Sequence, residues 1–149
     1  MPPHTIVLRA DIIAAARDWL GTPYHHQASV RGVGADCLGL VRGVWLDVYG
    51  RTAEIPPVYS RDWAEATGEE TLIAAAARHL VPTGTADARA GDVVVFRLRQ
   101  GLVAKHAGIL TSATSFIHAM EGGPASEVPL VPWWRRRIAA AFAFPGVND

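Results

Sequence analysis

The apolar residues of this chain change their spacing once along its length, and that change limits the fold more than any other feature. Up to about residue 80 they recur at helical spacing; after Pro82 and Gly84 they fall into short β-type runs. Over Asp11–Leu20 the residues Ile12, Ile13, Ala16, Trp19 and Leu20 share one helix face, Asp11 complements the N-terminal dipole, and Gly21 ends the helix. From Asp36 onward Cys37, Val41, Val44, Trp45 and Val48 repeat the helical pattern, with Asp36 suited to the N-cap and Gly50 to the C-terminal stop. Cys37 is therefore expected in the first turn of a buried helix. A further Ala-rich helix is expected within Trp63–Leu80, its start left open because Thr67–Glu70 also resembles a capping box. The strands expected beyond it are Val93–Leu98, His106–Thr111, Ser115–Met120, Glu127–Val131 and Ile138–Phe144. Helices first and strands later, with no alternating βαβ pattern, predict an α+β fold in which a mostly antiparallel sheet packs against the Cys37 helix.

The length of 149 residues fits a single domain over 1–149, large enough to bury roughly 70% of its unfolded surface. No internal repeat or linker divides it. Fourteen basic residues balance fourteen acidic ones, so no overall field recruits nucleic acid or an anionic membrane, and a neutral substrate or a protein partner is easier to accommodate. Cys37 is the only cysteine, which excludes an internal disulfide and a Cys-rich metal framework. Residues 1–20 lack a continuous apolar stretch and no apolar run approaches membrane-spanning length, so synthesis in the cytoplasm without an export signal, and no membrane insertion, are the expectation.

The chemistry concentrates around three residues. A thiol at a helix N-terminus, beside an imidazolium, can have its pKa lowered from about 8.5 to between about 3.5 and 7.5, so Cys37 is expected to be largely thiolate near neutrality. His106 opens one expected strand and His118 lies near the end of the next; Thr111–Thr114 reads as the hairpin turn between them, which would bring the imidazoles side by side. In that arrangement His106 takes the thiol proton and later protonates the leaving amine, while His118 holds the other ring nitrogen in the productive tautomer.

Each residue also has a plainer reading. A lone cysteine on an apolar helix face is usually a packing residue, and the two histidines alone would be ordinary sheet-edge residues. Asp36 is better explained as a cap than as a catalytic acid. Tyr24 either closes the loop over the core or donates a hydrogen bond to an oxyanion. His25 and His26 are adjacent and point apart in most backbones, so both are left outside the catalytic set. Trp133-Trp134-Arg135-Arg136-Arg137 forms no full nucleic-acid groove and reads as an interface or a cleft wall. Zinc is disfavoured because neither HExxH nor CxxC is present, and no other cofactor is called for.

Five segments then fall in order: Gly21-Thr22-Pro23-Tyr24, Asp36-Cys37-Leu38-Gly39-Leu40-Val41, Gly91-Asp92-Val93-Val94-Val95-Phe96, His106-Ala107-Gly108-Ile109 and Phe116-Ile117-His118-Ala119. Together they resemble the successive motifs of NlpC/P60 peptidases across about the whole chain. The resemblance implies a papain-like α+β domain that hydrolyses peptidoglycan stem peptides, commonly between D-glutamate and a diamino acid. Cys37, His106 and His118 match the family's triad positions, and Tyr24 its tyrosine near the nucleophile; Tyr24 and Asp36 become the oxyanion or substrate-binding candidates. Leu38 departs from the Ser found in many members, which bears on subfamily. Arg51–Ala90 looks like the branch found in phage tails and gene transfer particles, which implies tail or baseplate proteins as partners and delivery to the cell wall by a particle. Two alternatives remain: a tail adaptor that keeps the fold without needing activity, and a related thiol amidase or acyltransferase acting on another substrate.

Overall fold

The computed structural model describes residues 6–51 and 70–148. In chain order the elements are β1 (Val7–Leu8), α1 (Arg9–Arg17), β2 (Ser29–Val30), β3 (Gly34–Ala35), α2 (Cys37–Tyr49), α3 (Thr71–His79), β4 (Val81–Thr83), β5 (Val93–Phe96), β6 (His106–Ser112), β7 (Ser115–His118), β8 (Ser126–Pro129), α4 (Pro132–Arg135), β9 (Ile138–Ala143) and β10 (Val147–Asn148). The architecture is α+β: a six-stranded sheet of order β4-β9-β5-β6-β7-β8, antiparallel at every pairing, with α2 packed on β6 and α1 on α2.

Period-2 alternation divides the sheet's side chains between two cores. Val93, Val95, Ala107, Ile109 and Ile117 face the helices and join Ile12, Ala16, Leu40 and Val44. Val94, Phe96, Leu110 and Phe116 face the other way, where Leu130 and Trp134 cover them. Both faces of the middle strands are therefore buried, which explains why Val93–Phe96 is apolar at every position.

Local chemistry sets α2. Asp36 is the N-cap, its Oδ1 accepting from the Gly39 N–H at 2.7 Å, and Gly50 ends the helix in the left-handed conformation at φ 75°. A Cβ at Gly39 would overlap the Ala28 carbonyl oxygen, so only glycine lets the start of α2 lie against the 23–35 loop. Asp92 in the Gly91-Asp92 turn is buried; it accepts from Arg9 at 2.7 Å and from the Arg89 N–H at 2.9 Å, tying β5 to α1.

Three expectations shift. The first helix ends at Arg17, not Leu20: the chain turns at Asp18, and Trp19 is buried by tertiary contact, its indole donating to Asp47 at 2.9 Å. The Ala-rich helix is Thr71–His79, while the expected part before residue 70, with Thr67 of the capping box, lies outside the described residues. Glu70 makes no cap; its carboxylate accepts from Arg97 at 2.6 Å and from the Ala104 N–H at 3.1 Å. Strand β4 is an addition to the expected set, because Pro82 argues against a strand; among the described residues it is an edge strand paired with β9, where proline is tolerated.

Candidate active site

Cys37 is the first residue of α2, so the orphan N–H groups of that turn gather around it. It lies partly exposed on the wall of a cleft of about 390 Å³ that is also lined by Tyr24, His26, Asp36, His106 and Glu121. The loop between β5 and β6 contributes Leu98, Arg99, Leu102, Val103 and Lys105 to the lining. In the resting geometry the thiol donates weakly to the Lys105 carbonyl, at 3.7 Å.

His106 and His118 come from paired strands. The register matches Ile109 with Ile117 and Leu110 with Phe116 across a two-residue turn at Ala113-Thr114. Continued one step, it sets Gly108 opposite His118, with His106 the next residue on the same face. Glycine is needed there, because a Cβ at 108 would come within 2.8 Å of the Phe116 ring on which His118 leans. Both imidazoles are buried, and His106 Nε2 lies 2.8 Å from His118 Nδ1.

That contact determines what the pair can do. With Nε2 of His106 engaged by His118, the nitrogen left for the thiol is Nδ1. To accept a proton there, His106 must carry its resting proton on Nε2 and donate it to an unprotonated His118 Nδ1. His118 thereby selects the tautomer and remains a favourable acceptor when His106 becomes an imidazolium.

Electrostatics sets burial against the thiolate expectation. Burial pushes the Cys37 thiol up to about 12, the Asp36 carboxylate adds to the rise, and the backbone N–H groups of Ala107, Leu38 and Cys37 only partly offset it. Burial, with the neighbouring His118, pushes His106 down to about 3. Both shifts favour the uncharged thiol and imidazole over an ion pair, against the pull of the helix terminus. Such an arrangement can pass the thiol proton to Nδ1 during attack on a carbonyl and return it to a leaving amine. The N–H groups of Cys37 and Leu38 and the Tyr24 hydroxyl are the candidate donors to the developing oxyanion.

Asp36 caps the helix from a buried position, its second oxygen accepting from the Gln27 N–H at 2.8 Å, and it also borders the cleft. His26, left outside the catalytic set by its sequence position, lines the cleft with Nδ1 3.9 Å from Asp36; His25 is exposed. The Arg99 and Lys105 wall has no signal in the sequence, since loop residues between strands carry no periodicity. Trp134, expected at an interface or cleft wall, instead packs inside against both histidines. Among the described residues no group of three His, Cys, Asp or Glu is placed to hold a metal ion, and no helix is long and apolar enough to cross a membrane.

No curated protein matches this sequence. Among solved structures, the NlpC/p60 domain of the peptidoglycan hydrolase SagA superposes with a TM-score of 0.63 at 24% identity, covering 91% of this chain and 98% of that one. An NlpC/P60 family protein from Bacillus cereus gives a TM-score of 0.69 at 19% identity over 95% of this chain, which spans 41% of that longer protein. The P60 domain of an antigen from M. avium subspecies paratuberculosis gives 0.57 at 17% identity, covering 95% and 96%. The NlpC/P60 family model matches residues 21–141, and with that match over most of its length this chain belongs to the NlpC/P60 family.

Proposed function

We propose that this protein is a cysteine peptidase that hydrolyses amide bonds in peptidoglycan stem peptides, with Cys37 as nucleophile, His106 as base and acid, and His118 as the residue that orients His106. The observation that carries the reading is one cleft holding a helix-N-terminal thiol and the inner member of a hydrogen-bonded imidazole pair. The cleft lining includes the cationic Arg99 and Lys105 and the anionic Glu121, a mixture suited to a short peptide bearing both carboxylates and amino groups. SagA, similar in fold, is described as a peptidoglycan hydrolase. The favoured bond is that between D-glutamate and the following diamino acid. A panel of defined muropeptides, each offering one bond type, tests this: selective release of the diamino acid fragment supports it, and cleavage only at a D-alanyl cross-link refutes the bond assignment.

We further propose that the enzyme is made in the cytoplasm and reaches the periplasmic wall in a phage or phage-like tail, the reading favoured by the resemblance of the Arg51–Ala90 segment. Its presence in purified particles would support this, and its absence would defeat it. The adaptor reading predicts particle incorporation without hydrolysis. A thiol amidase or acyltransferase would share the acyl-enzyme step but would act on amides or esters outside the wall.

A further inference from the structure

The segment Val131-Pro132-Trp133-Trp134-Arg135-Arg136-Arg137 carries the largest side chains on the sheet face away from the helices. Pro132 starts a single turn of helix, α4, and the chain is fastened on both sides of it. On one side the Leu130 N–H donates to the Thr114 carbonyl at 2.8 Å, and Arg135 Nη2 donates to the Ala113 carbonyl at 3.1 Å; both anchors lie in the β6–β7 turn. On the other, the Arg97 N–H donates to the Arg137 carbonyl at 2.8 Å, and Arg137 Nε donates to the Leu98 carbonyl at 3.2 Å where the cleft loop begins. The Arg137 guanidinium also lies 3.7 Å over the Trp133 ring, which stands edge-on to Trp134.

This scaffold places the Trp134 indole against the imidazole pair. Its ring centroid is 5.6 Å from His106 at a 32° tilt and 5.2 Å from His118 at 86°, and it also contacts Phe96 at 4.9 Å and Phe116 at 5.3 Å. Cys37 and His106 line the cleft, and the indole packs against both imidazoles from α4. A hydrogen bond between two neutral imidazoles survives only while water is kept from competing for their nitrogens, and a ring wedged against both limits their rotation.

We infer that Trp134 is a positioning residue, which shields the His106–His118 pair from water and holds the His106 ring so that its unengaged Nδ1 is kept available to Cys37. The inference rests on the proposed role of His106 as base. The other titratable and charged groups on the elements around the pair are Cys37 and Asp36 at the start of α2, Lys105 beside His106, Glu121 after β7 and Arg135, Arg136 and Arg137 in and after α4; substitution at 134 alters none of these residues.

The test compares wild type with Trp134→Ala, Trp134→Leu and Leu80→Ala, the last a buried residue beside the far edge strand that controls for lost stability. Two readouts need no substrate: imidazole titration by NMR, and the pH profile of Cys37 alkylation by iodoacetamide. With water admitted, both histidines in Trp134→Ala should titrate at least one pH unit higher than in wild type, and the alkylation profile should shift with them; Leu80→Ala should move neither. On a stem peptide, kcat should fall at least tenfold with KM changed less than twofold. A folded Trp134→Ala with wild-type titration and kcat overturns the inference. Should that variant fail to fold, Trp134→Leu decides by the same criteria, with at least a threefold loss of kcat and a half-unit rise in titration expected. A wild-type protein that cuts no stem peptide defeats the peptidase reading and leaves titration to judge Trp134.

Discussion

Replacing Asp36 separates two things that this carboxylate does. Its Oδ1 satisfies the Gly39 N–H at 2.7 Å and its Oδ2 the Gln27 N–H at 2.8 Å, both with almost no access to water, since Asp36 is 4% exposed. Asp36→Ala strands two donors at about 1–3 kcal/mol each and removes a cap worth about 1 kcal/mol that overlaps the first of them, for a loss of about 3 kcal/mol. For a domain of this size that is a drop in Tm of about 10 °C. Asp36→Asn keeps one acceptor but turns an amide N–H toward the Gln27 N–H, and should lose about half as much. The same charge also raises the Cys37 thiol, second only to burial. Both variants should therefore be less stable yet carry a thiol that ionises at lower pH. Circular dichroism melts read the first effect; the midpoint of the iodoacetamide alkylation profile, taken well below the melt, reads the second. An Asp36→Ala protein that melts with wild type, or whose alkylation midpoint moves up, refutes this account of the helix start.

Three further outcomes follow from the same geometry. His106 binds a proton far more weakly folded than unfolded, so its contribution to stability is complete above about pH 6.5 and is lost as pH falls from there toward 3; Cys37 acts oppositely, its contribution being lost as pH rises from about 9 toward 12. Chemical denaturation across pH should thus show greatest stability between about 6.5 and 9, with His106→Ala flattening the acid limb. His118→Ala should lose activity to a smaller degree than Cys37→Ala, and His118→Gln, which can still accept from His106 Nε2, should recover part of it; equal loss in all three, measured as kcat on one peptide, would contradict the tautomer argument. Asp92→Ala should cost about 3 kcal/mol by removing the buried carboxylate that Arg9 and the Arg89 N–H share, read as a lowered denaturation midpoint, whereas Arg17→Ala, which breaks only a surface pair with Glu127, should leave that midpoint nearly unchanged.

Features set by neighbours along the chain are legible in the sequence alone. Asp36, Cys37 and Gly50 mark the ends of α2 through capping chemistry that acts within one turn, and the β6–β7 hairpin follows from alternation around a short turn. What long-range packing decides is not legible there. Trp19 fits the apolar face of a longer helix, yet its burial beside Gly43 and Asp47 belongs to a chain that has already turned. Trp134 stands in a basic aromatic run suggestive of a surface, and nothing local reveals partners in strands 16 to 38 residues away. The surroundings of Cys37 are illegible for a related reason: the sequence shows the favourable helix terminus, while the groups that meet the sulfur, the Lys105 carbonyl and the Ala107 N–H, come from about 70 residues along the chain.

Digestion of purified peptidoglycan by wild type, Cys37→Ala and His106→Ala, with released fragments identified by mass spectrometry, tests the central claim most directly. The account predicts new peptide amino termini with wild type and none with either variant, all three folded alike. Release of the same fragments by Cys37→Ala, or none by wild type whether free or assembled in a particle, would contradict it.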